Sequence, residues 1–179
     1  MNLPFASELG ISKSSIKAHG LRKFEEATEL ELVERDEDGK EHLLVPTAAQ
    51  AWRLLKAAAL AEGVSLFIVS AFRSIERQAE LVRRKLSAGQ PIEEILTVCA
   101  APGFSEHHTR RAVDLSIPGA PLLEPEFDQT PAFAWLTQHA NDFSFYLSFP
   151  AGNPQGYLYE PWHWCFHEGL DELEQKENQ

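Results

Sequence analysis

The chain has 179 residues, 44% of them hydrophobic, which is enough for one domain with a sizeable core and too hydrophobic for a disordered protein. Its net charge of -11 argues against nucleic acid or an anionic membrane surface as a partner. No apolar run is long enough to cross a bilayer, and the first residues lack the basic and apolar regions of a secretory signal. We therefore expect a monomer that stays in the cytoplasm, or one directed to the periplasm or cell wall if a leader has been removed.

The first predicted element is a hairpin. Residues 1–28 are polar and mixed, which favours short helices and loops. Charged and apolar residues alternate over Glu29–Glu34, and His42–Val45 is apolar. Because Asp36–Gly39 between them consists of turn-forming residues, the two segments are predicted to pair.

Helices and a buried strand are predicted next. Pro46–Glu62 is rich in alanine and leucine, begins with proline and is followed by glycine, all of which favour a helix. Ser65–Ser70 has the composition of a buried strand. Helices are predicted over Ser74–Ala88 and Pro91–Val98, and the aperiodic segment Ala100–Arg110 is predicted to be a loop.

The last part of the chain mixes strands and helices without regular alternation. The predicted elements are a strand over Arg111–Leu115, a proline-rich excursion over Pro118–Pro131, a helix from Thr130 to about His139, aromatic strands over Phe143–Phe149 and Tyr157–Phe166, and an acidic helical or frayed tail from Glu168. Such an order favours an α+β fold with an antiparallel sheet.

Four of the seven histidines fall into two clusters, residues 105–114 and 160–167, at predicted loop-to-strand positions. A rigid sheet can direct side chains from such positions into a cleft. A catalytic zinc site needs three nitrogen, oxygen or sulfur ligands and leaves a fourth position for water. The candidate ligands are His107, His163 and one carboxylate from Asp114, Glu106 or Glu160.

Asp114 stands among alanine, valine and leucine residues. An ionised carboxylate buried there would need a strong partner such as a metal ion, whereas strand alternation also allows an exposed position. Cys165 is a rival ligand because thiolates bind zinc well, and His108 is another because it adjoins His107.

Two further residues could take part in catalysis. Glu160 precedes His163 by three residues, so its carboxylate can lie near a metal without binding it and can transfer a proton. Arg73 follows a strand just before a helix, where its guanidinium can hold a substrate carboxylate. Trp162 and Trp164 can form the wall of a pocket. The alternatives are surface positions for Glu160 and Arg73 and core positions for the tryptophans.

Three motifs follow one another along the chain. They are Ser70-Ala71-Phe72-Arg73-Ser74 with Gln78, then Ser105-x-His107-x-x-x-x-Ala112-x-Asp114, then Glu160-Pro161-Trp162-His163. In this order they resemble the motifs of the D-alanyl-D-alanine carboxypeptidases of the VanY type, zinc peptidases related to D,D-dipeptidases and the hedgehog signalling domain. The match covers residues 46–167 of a single domain, with residues 1–45 as an N-terminal extension.

The resemblance implies a small antiparallel sheet with flanking helices and a zinc cleft on the sheet. It assigns Zn²⁺ to His107, Asp114 and His163, and catalysis to Glu160 as the base and to Arg73. It assigns substrate binding to Arg73, Gln78 and Ser105, to which Trp162 is added as a pocket wall.

The implied reaction is hydrolysis of the C-terminal D-alanyl bond of peptidoglycan stem peptides or their soluble precursors. L,D-carboxypeptidase, D,D-dipeptidase and endolysin-type endopeptidase activities would use the same site. A non-catalytic, zinc-stabilised module that binds peptidoglycan or protein is an alternative of another class, although the presence of Glu160 and Arg73 favours an enzyme.

One position departs from the family pattern, because Arg110 stands where the family has glycine. Glycine suits a left-handed backbone, which arginine adopts only at a cost. We expect either a different loop or an arginine that adds positive charge, with Arg111 and His108, at the rim of the cleft. That charge would favour stem peptides containing diaminopimelate. An arginine that points to solvent is the alternative.

Overall fold

The computed structural model describes residues 5–18 and 21–168 and shows an α+β protein built on a four-stranded antiparallel sheet. The helices are α1 (Lys13–Ala18), α2 (Pro46–Ala61), α3 (Ile75–Ser87), α4 (Ile92–Val98) and α5 (Pro131–His139). The strands are β1 (Glu31–Arg35), β2 (Glu41–Leu44), β3 (Phe67–Ser70), β4 (Ala112–Ser116), β5 (Phe145–Leu147) and β6 (His163–Phe166). Within the described ranges, no helix has the length and apolar character needed to span a bilayer.

The main sheet has the strand order β3-β4-β6-β5, and all neighbours are antiparallel. Its register makes Asp114 the cross-strand partner of Ser70 on one side and of His163 on the other. Strands β1 and β2 form the separate hairpin that the turn residues predicted. The sheet therefore brings together segments from three distant parts of the sequence.

Two hydrophobic cores lie on either side of the functional residues. One contains Trp52 of α2, Leu136 of α5 and the sheet residues Val113 and Leu115. The other joins α3 and α4 to residues 6–16. Because side chains alternate along a strand, β4 directs Val113 and Leu115 to the first core and Asp114 to the opposite face.

Local signals predicted the starts of two helices correctly. The hydroxyl of Ser74 accepts a hydrogen bond from Arg77 N at 3.0 Å, and that of Thr130 accepts one from Phe133 N at 3.2 Å. Such caps satisfy backbone N–H groups that have no partner within the helix.

The strand prediction over Tyr157–Phe166 was too long, since β6 begins only at His163. The Asn153 side chain closes the preceding loop, donating to Tyr157 O at 2.8 Å and accepting from Tyr157 N at 3.1 Å. These side-chain hydrogen bonds take the place of the backbone hydrogen bonds that Tyr157 would form in a strand. The predicted tail beyond Glu168 lies outside the described residues.

Candidate metal centre

Three buried side chains from two strands and a loop meet at one point. His107 lies in the 3₁₀ turn Glu106–Thr109, Asp114 in β4 and His163 at the start of β6. Their potential ligand atoms all lie within 4.8 Å of one another, and each residue is 3% exposed. Asp114 Oδ2 is 3.2 Å from His107 Nε2, and Asp114 Oδ1 is 2.9 Å from His163 Nδ1.

In each imidazole ring, the nitrogen that points away from this centre forms a hydrogen bond. That bond determines which nitrogen faces the centre. His107 Nδ1 lies 2.6 Å from Ala71 O, which can only accept, so Nδ1 carries the proton and Nε2 keeps its lone pair. His163 Nε2 lies 3.0 Å from Glu106 Oε2 and donates to it, which leaves Nδ1 for a ligand. Metal-binding histidines typically donate their other N–H to a carbonyl or carboxylate in this way.

The electrostatics favour a cation at the same point. Burial lowers the pKa of His107 and keeps its ring neutral. Burial would raise the pKa of Asp114, but the two histidines outweigh it and hold this carboxyl ionised. Burial alone would lower the pKa of His163, yet the Asp114 and Glu106 carboxylates outweigh it and raise the pKa to about 10. Two imidazole nitrogens and one carboxylate surround a point where a positive charge is stabilised. This set of groups matches the ligands of catalytic zinc.

Glu160 lies just outside this ligand set. Its Oε2 atom is 3.9 Å from His163 Nδ1, and its side chain lines the same cleft. Burial is the main cause that raises its pKa, to about 7, with the charge of His163 opposing the rise. A carboxyl group with this pKa can accept and return a proton near neutral pH.

The centre opens into a cleft of about 490 Å³. Arg73, Ser105 and Trp162 line it together with the three candidate ligands and Glu160. Ser105 also accepts a hydrogen bond from His107 N at 3.3 Å, which supports the turn that carries His107.

Gln78 has a different place from the one expected. It is fully buried and is not among the described residues that line the cleft. Its Oε1 atom accepts from Arg73 Nη1 at 3.0 Å, while its Nε2 donates to Ala100 O at 2.6 Å. The amide therefore orients Arg73, whose Nη2 lies 3.9 Å from Asp114 Oδ2, and the structure offers it no contact with a substrate.

Both rival ligands point elsewhere. His108 is buried, with Nδ1 2.6 Å from Arg73 O and Nε2 accepting from Gly103 N at 3.1 Å, so both ring nitrogens are occupied. Cys165 belongs to a neighbouring group with Glu106 and His167. Both residues support the loop and strand around the centre.

The sequence indicated Glu106 only as a candidate ligand, whereas the structure places it behind His163. Its Oε2 atom accepts from His163 Nε2 at 3.0 Å and from Ser148 Oγ at 2.6 Å. Burial would raise its pKa, but the bond to His163 outweighs this and lowers the pKa to about 2. The contact between Glu106 and His163 joins residues that are 57 positions apart, so no short sequence motif could have indicated it.

Glu106→Gln should lower zinc affinity by about 10- to 100-fold, because the amide holds the His163 ring less firmly and removes a charge. Zinc affinity can be measured by competition with a chelator. Glu124→Gln, in an exposed residue of the same cleft, is the matched control and should leave the affinity unchanged. An unaltered affinity in Glu106→Gln would contradict the role assigned to this carboxylate.

The expectation that Arg110 enriches the rim in positive charge is wrong. Arg110 is only 8% exposed, and its guanidinium carbon lies 3.7 Å from the centroid of the Phe72 ring. Neither Arg110 nor Arg111 nor His108 is among the described residues lining the cleft. Stacking on an aromatic ring inside the protein keeps the guanidinium away from both the cleft and the solvent.

The backbone of Arg110 does adopt the conformation that glycine suits, with φ 58° and ψ 28°. Arg110→Gly should therefore be more stable than Arg110→Ala by about 1 kcal/mol, because alanine retains the left-handed strain while both lose the stacked side chain. Urea denaturation of the two variants measures the difference. At Gln50, an exposed residue in α2, the alanine variant should be more stable than the glycine variant, because alanine favours a helix. If Arg110→Ala were as stable as Arg110→Gly, or more stable, the backbone strain at position 110 would be refuted.

The chain is similar to known carboxypeptidases. A family model described as VanY, D-alanyl-D-alanine carboxypeptidase, matches residues 41–169. YodJ of Bacillus subtilis is 32% identical over 65% of this chain and 43% of its own length. A D-alanyl-D-alanine carboxypeptidase of Enterococcus faecalis is 29% identical over 63% of this chain and 48% of its own. The chain thus spans less than half the length of these two relatives.

Solved structures show the same fold. The LD-carboxypeptidase LdcB aligns with a TM-score of 0.74 and 27% identity, covering 86% of this chain and 75% of its own. The vancomycin resistance D,D-pentapeptidase VanY, crystallised as a mutant with Zn(II), aligns with a TM-score of 0.63 and 25% identity, covering 86% and 85%.

Proposed function

The chain belongs to the VanY family of D-alanyl-D-alanine carboxypeptidases, and on this premise we propose that it is a zinc-dependent peptidase of peptidoglycan. It removes the C-terminal D-alanine from stem peptides or their precursors. The observation that carries this proposal is the meeting of His107, Asp114 and His163 in a cleft, with Glu160 3.9 Å from His163 Nδ1.

The proposed zinc ligands are His107 Nε2, His163 Nδ1 and an Asp114 carboxylate oxygen. When bound there, Zn²⁺ would supply a Lewis acid within the cleft. The hydrogen bonds to Ala71 O and Glu106 keep both histidine rings oriented for this role. Proton release from His163 Nδ1 would accompany metal binding.

Glu160 is the proposed general base. Its carboxylate takes a proton from the attacking water and returns it to the nitrogen of the departing D-alanine. Burial keeps its pKa near 7, so the group can perform both transfers. Its Oε2 lies 3.9 Å from His163 Nδ1, so a water molecule beside the ligand set is within hydrogen-bond reach of the base.

Arg73 is proposed to stabilise the negative charge that develops on the scissile carbonyl oxygen. Gln78 and the hydroxyl of Ser70, at 3.3 Å from Arg73 Nη2, hold its guanidinium at the edge of the cleft. A fixed donor is more effective here than a flexible one, because it needs no reorganisation during the reaction.

L,D-carboxypeptidase activity is a second candidate, favoured by the alignment with LdcB, whose TM-score of 0.74 exceeds the 0.63 for the D,D-pentapeptidase. The two candidates differ in the bond that is cut, since a D,D-enzyme shortens pentapeptide stems and an L,D-enzyme shortens tetrapeptide stems.

Mass spectrometry of products distinguishes these activities. The zinc-loaded protein is incubated with pentapeptide and tetrapeptide stems, nucleotide-linked pentapeptide and cross-linked wall fragments. Loss of one alanine from pentapeptides supports the first candidate, and loss from tetrapeptides supports the second. Release of a dipeptide or cleavage of cross-links would indicate another peptidase activity. Failure to cleave any of them, at full zinc occupancy, would contradict the proposal.

A further inference from the structure

The cleft extends from the metal centre along one face of α3. Gln78, Leu81 and Lys85 recur at helical spacing on this face, and Leu81 and Lys85 line the cleft. Burial raises the pKa of the nearby Cys99 thiol, and the charges of Arg73 and Lys85 both oppose this rise. Lys85 and Cys99 both line the cleft, so Lys85 lies on the cleft side of the helix.

Lys85 is half-buried, and among the described residues it has no ion-pair or hydrogen-bond partner at its ammonium group. The other basic side chain of the cleft, Arg73, is held by Gln78 and Ser70. A partly desolvated ammonium without an anionic neighbour can bind a ligand carboxylate strongly, because charge-assisted hydrogen bonds gain strength as water is excluded.

The surroundings of Lys85 are aliphatic. Leu81, Val98 and Leu158 line this end of the cleft, and Val98 and Leu158 are 42% and 58% exposed. Leu158 is fixed there by its backbone N–H, which donates to Thr97 O at 2.8 Å. A subsite with apolar walls and one cation fits an aliphatic segment that carries a carboxylate.

Distance along the helix indicates which part of a substrate reaches this subsite. Lys85 follows Gln78 by seven residues, which is about 10 Å of helix. An extended peptide covers that distance in about three residues. Gln78 binds Arg73, whose Nη2 is 3.9 Å from Asp114 Oδ2, and the departing D-alanine is a single residue. We therefore assign a group about 10 Å along the helix from Gln78 to the acyl part of the substrate.

We propose that Lys85 forms a subsite for a carboxylate on the acyl part of the substrate, so that the enzyme prefers anionic stem peptides. The proposal rests on the function proposed above and specifies its substrate class. Two groups in stem peptides have the required chemistry: the side-chain carboxylate of diaminopimelate and the α-carboxylate of γ-linked glutamate. Lys85 on α3 thus supplies the positive charge that the sequence had predicted at Arg110.

Kinetics on four matched peptides test this subsite. The peptides have both carboxylates free, only the diaminopimelate carboxylate amidated, only the glutamate carboxylate amidated, or both amidated. Lys85→Met should raise KM about 10-fold for the fully free peptide and change kcat less than about twofold. Amidation of the recognised carboxylate should remove the effect of the substitution, and the two singly amidated peptides identify which carboxylate that is.

Two variants control for charge and folding. Lys85→Arg keeps the charge and should retain most of the wild-type preference. Lys17→Met removes the same charge from an exposed position in α1 and should behave like wild type. An equal change in KM on all four peptides would overturn the proposal.

Calorimetric binding of the same peptides to the zinc-loaded protein gives a result independent of turnover. Lys85→Met should weaken binding of the free peptide about 10-fold and leave binding of the fully amidated peptide unchanged. If the wild type binds these peptides with that preference but releases no alanine, the proposed function fails while the subsite stands. Binding that is insensitive to Lys85, or no binding of any peptide, overturns the subsite.

Discussion

Glu160→Gln is expected to lower kcat/KM by about 10³-fold while leaving the zinc content unchanged. Glutamine has the size of glutamate and keeps the contacts of the buried side chain, but it cannot accept a proton. Although its Oε2 is 3.9 Å from His163 Nδ1, Glu160 is not in the group of three residues whose ligand atoms all lie within 4.8 Å of one another. The carboxylate should therefore matter for catalysis far more than for metal binding.

Initial rates on a pentapeptide stem and metal analysis of the same preparation measure the two effects. Glu124→Gln is the matched control, because Glu124 lines the same cleft from an exposed position. It should keep both activity and zinc. Full activity of Glu160→Gln would disprove the base assignment, and loss of zinc would show that Glu160 is a ligand.

His163→Ala is expected to lower zinc affinity by on the order of 10²-fold or more, because one of the three proposed ligands is lost. The substitution also removes the ring whose Nδ1 bonds Asp114 and whose Nε2 bonds Glu106. Two buried carboxylates without that partner should destabilise the fold by about 3–5 kcal/mol. Activity should disappear with the metal.

Competition with a chelator measures the zinc affinity, and urea denaturation shows whether the variant is folded at the assay temperature. Cys165→Ser is the matched control on the same strand and should retain the wild-type affinity, since Cys165 faces Glu106 and His167. His107→Ala provides a second ligand variant and should also lose zinc. If Cys165→Ser lost zinc while His163→Ala kept it, the ligand set would be wrong.

Local sequence signals were sufficient for much of the fold. Proline at the start of α2 and the caps Ser74 and Thr130 predicted helix starts, because capping involves only neighbouring residues. Strand ends were less predictable. Tyr157–Trp162 has strand-like composition, but the Asn153 side chain forms a loop there instead. The order of three motifs predicted the family, which the family match confirms.

The sequence by itself determined the class of the protein and a set of candidate residues, because residue types and short spacings are local properties. Only the tertiary structure decided how those residues act. The β3-β4-β6 register placed Asp114 beside His163, and the packing of α3 and the Glu106–Thr109 turn against the sheet buried Gln78 behind Arg73 and put Glu106 behind His163. It also placed Arg110 against Phe72 and left Lys85 facing the cleft. These roles depend on distances between side chains far apart in the chain, and such distances arise only when the sheet and its helices pack together.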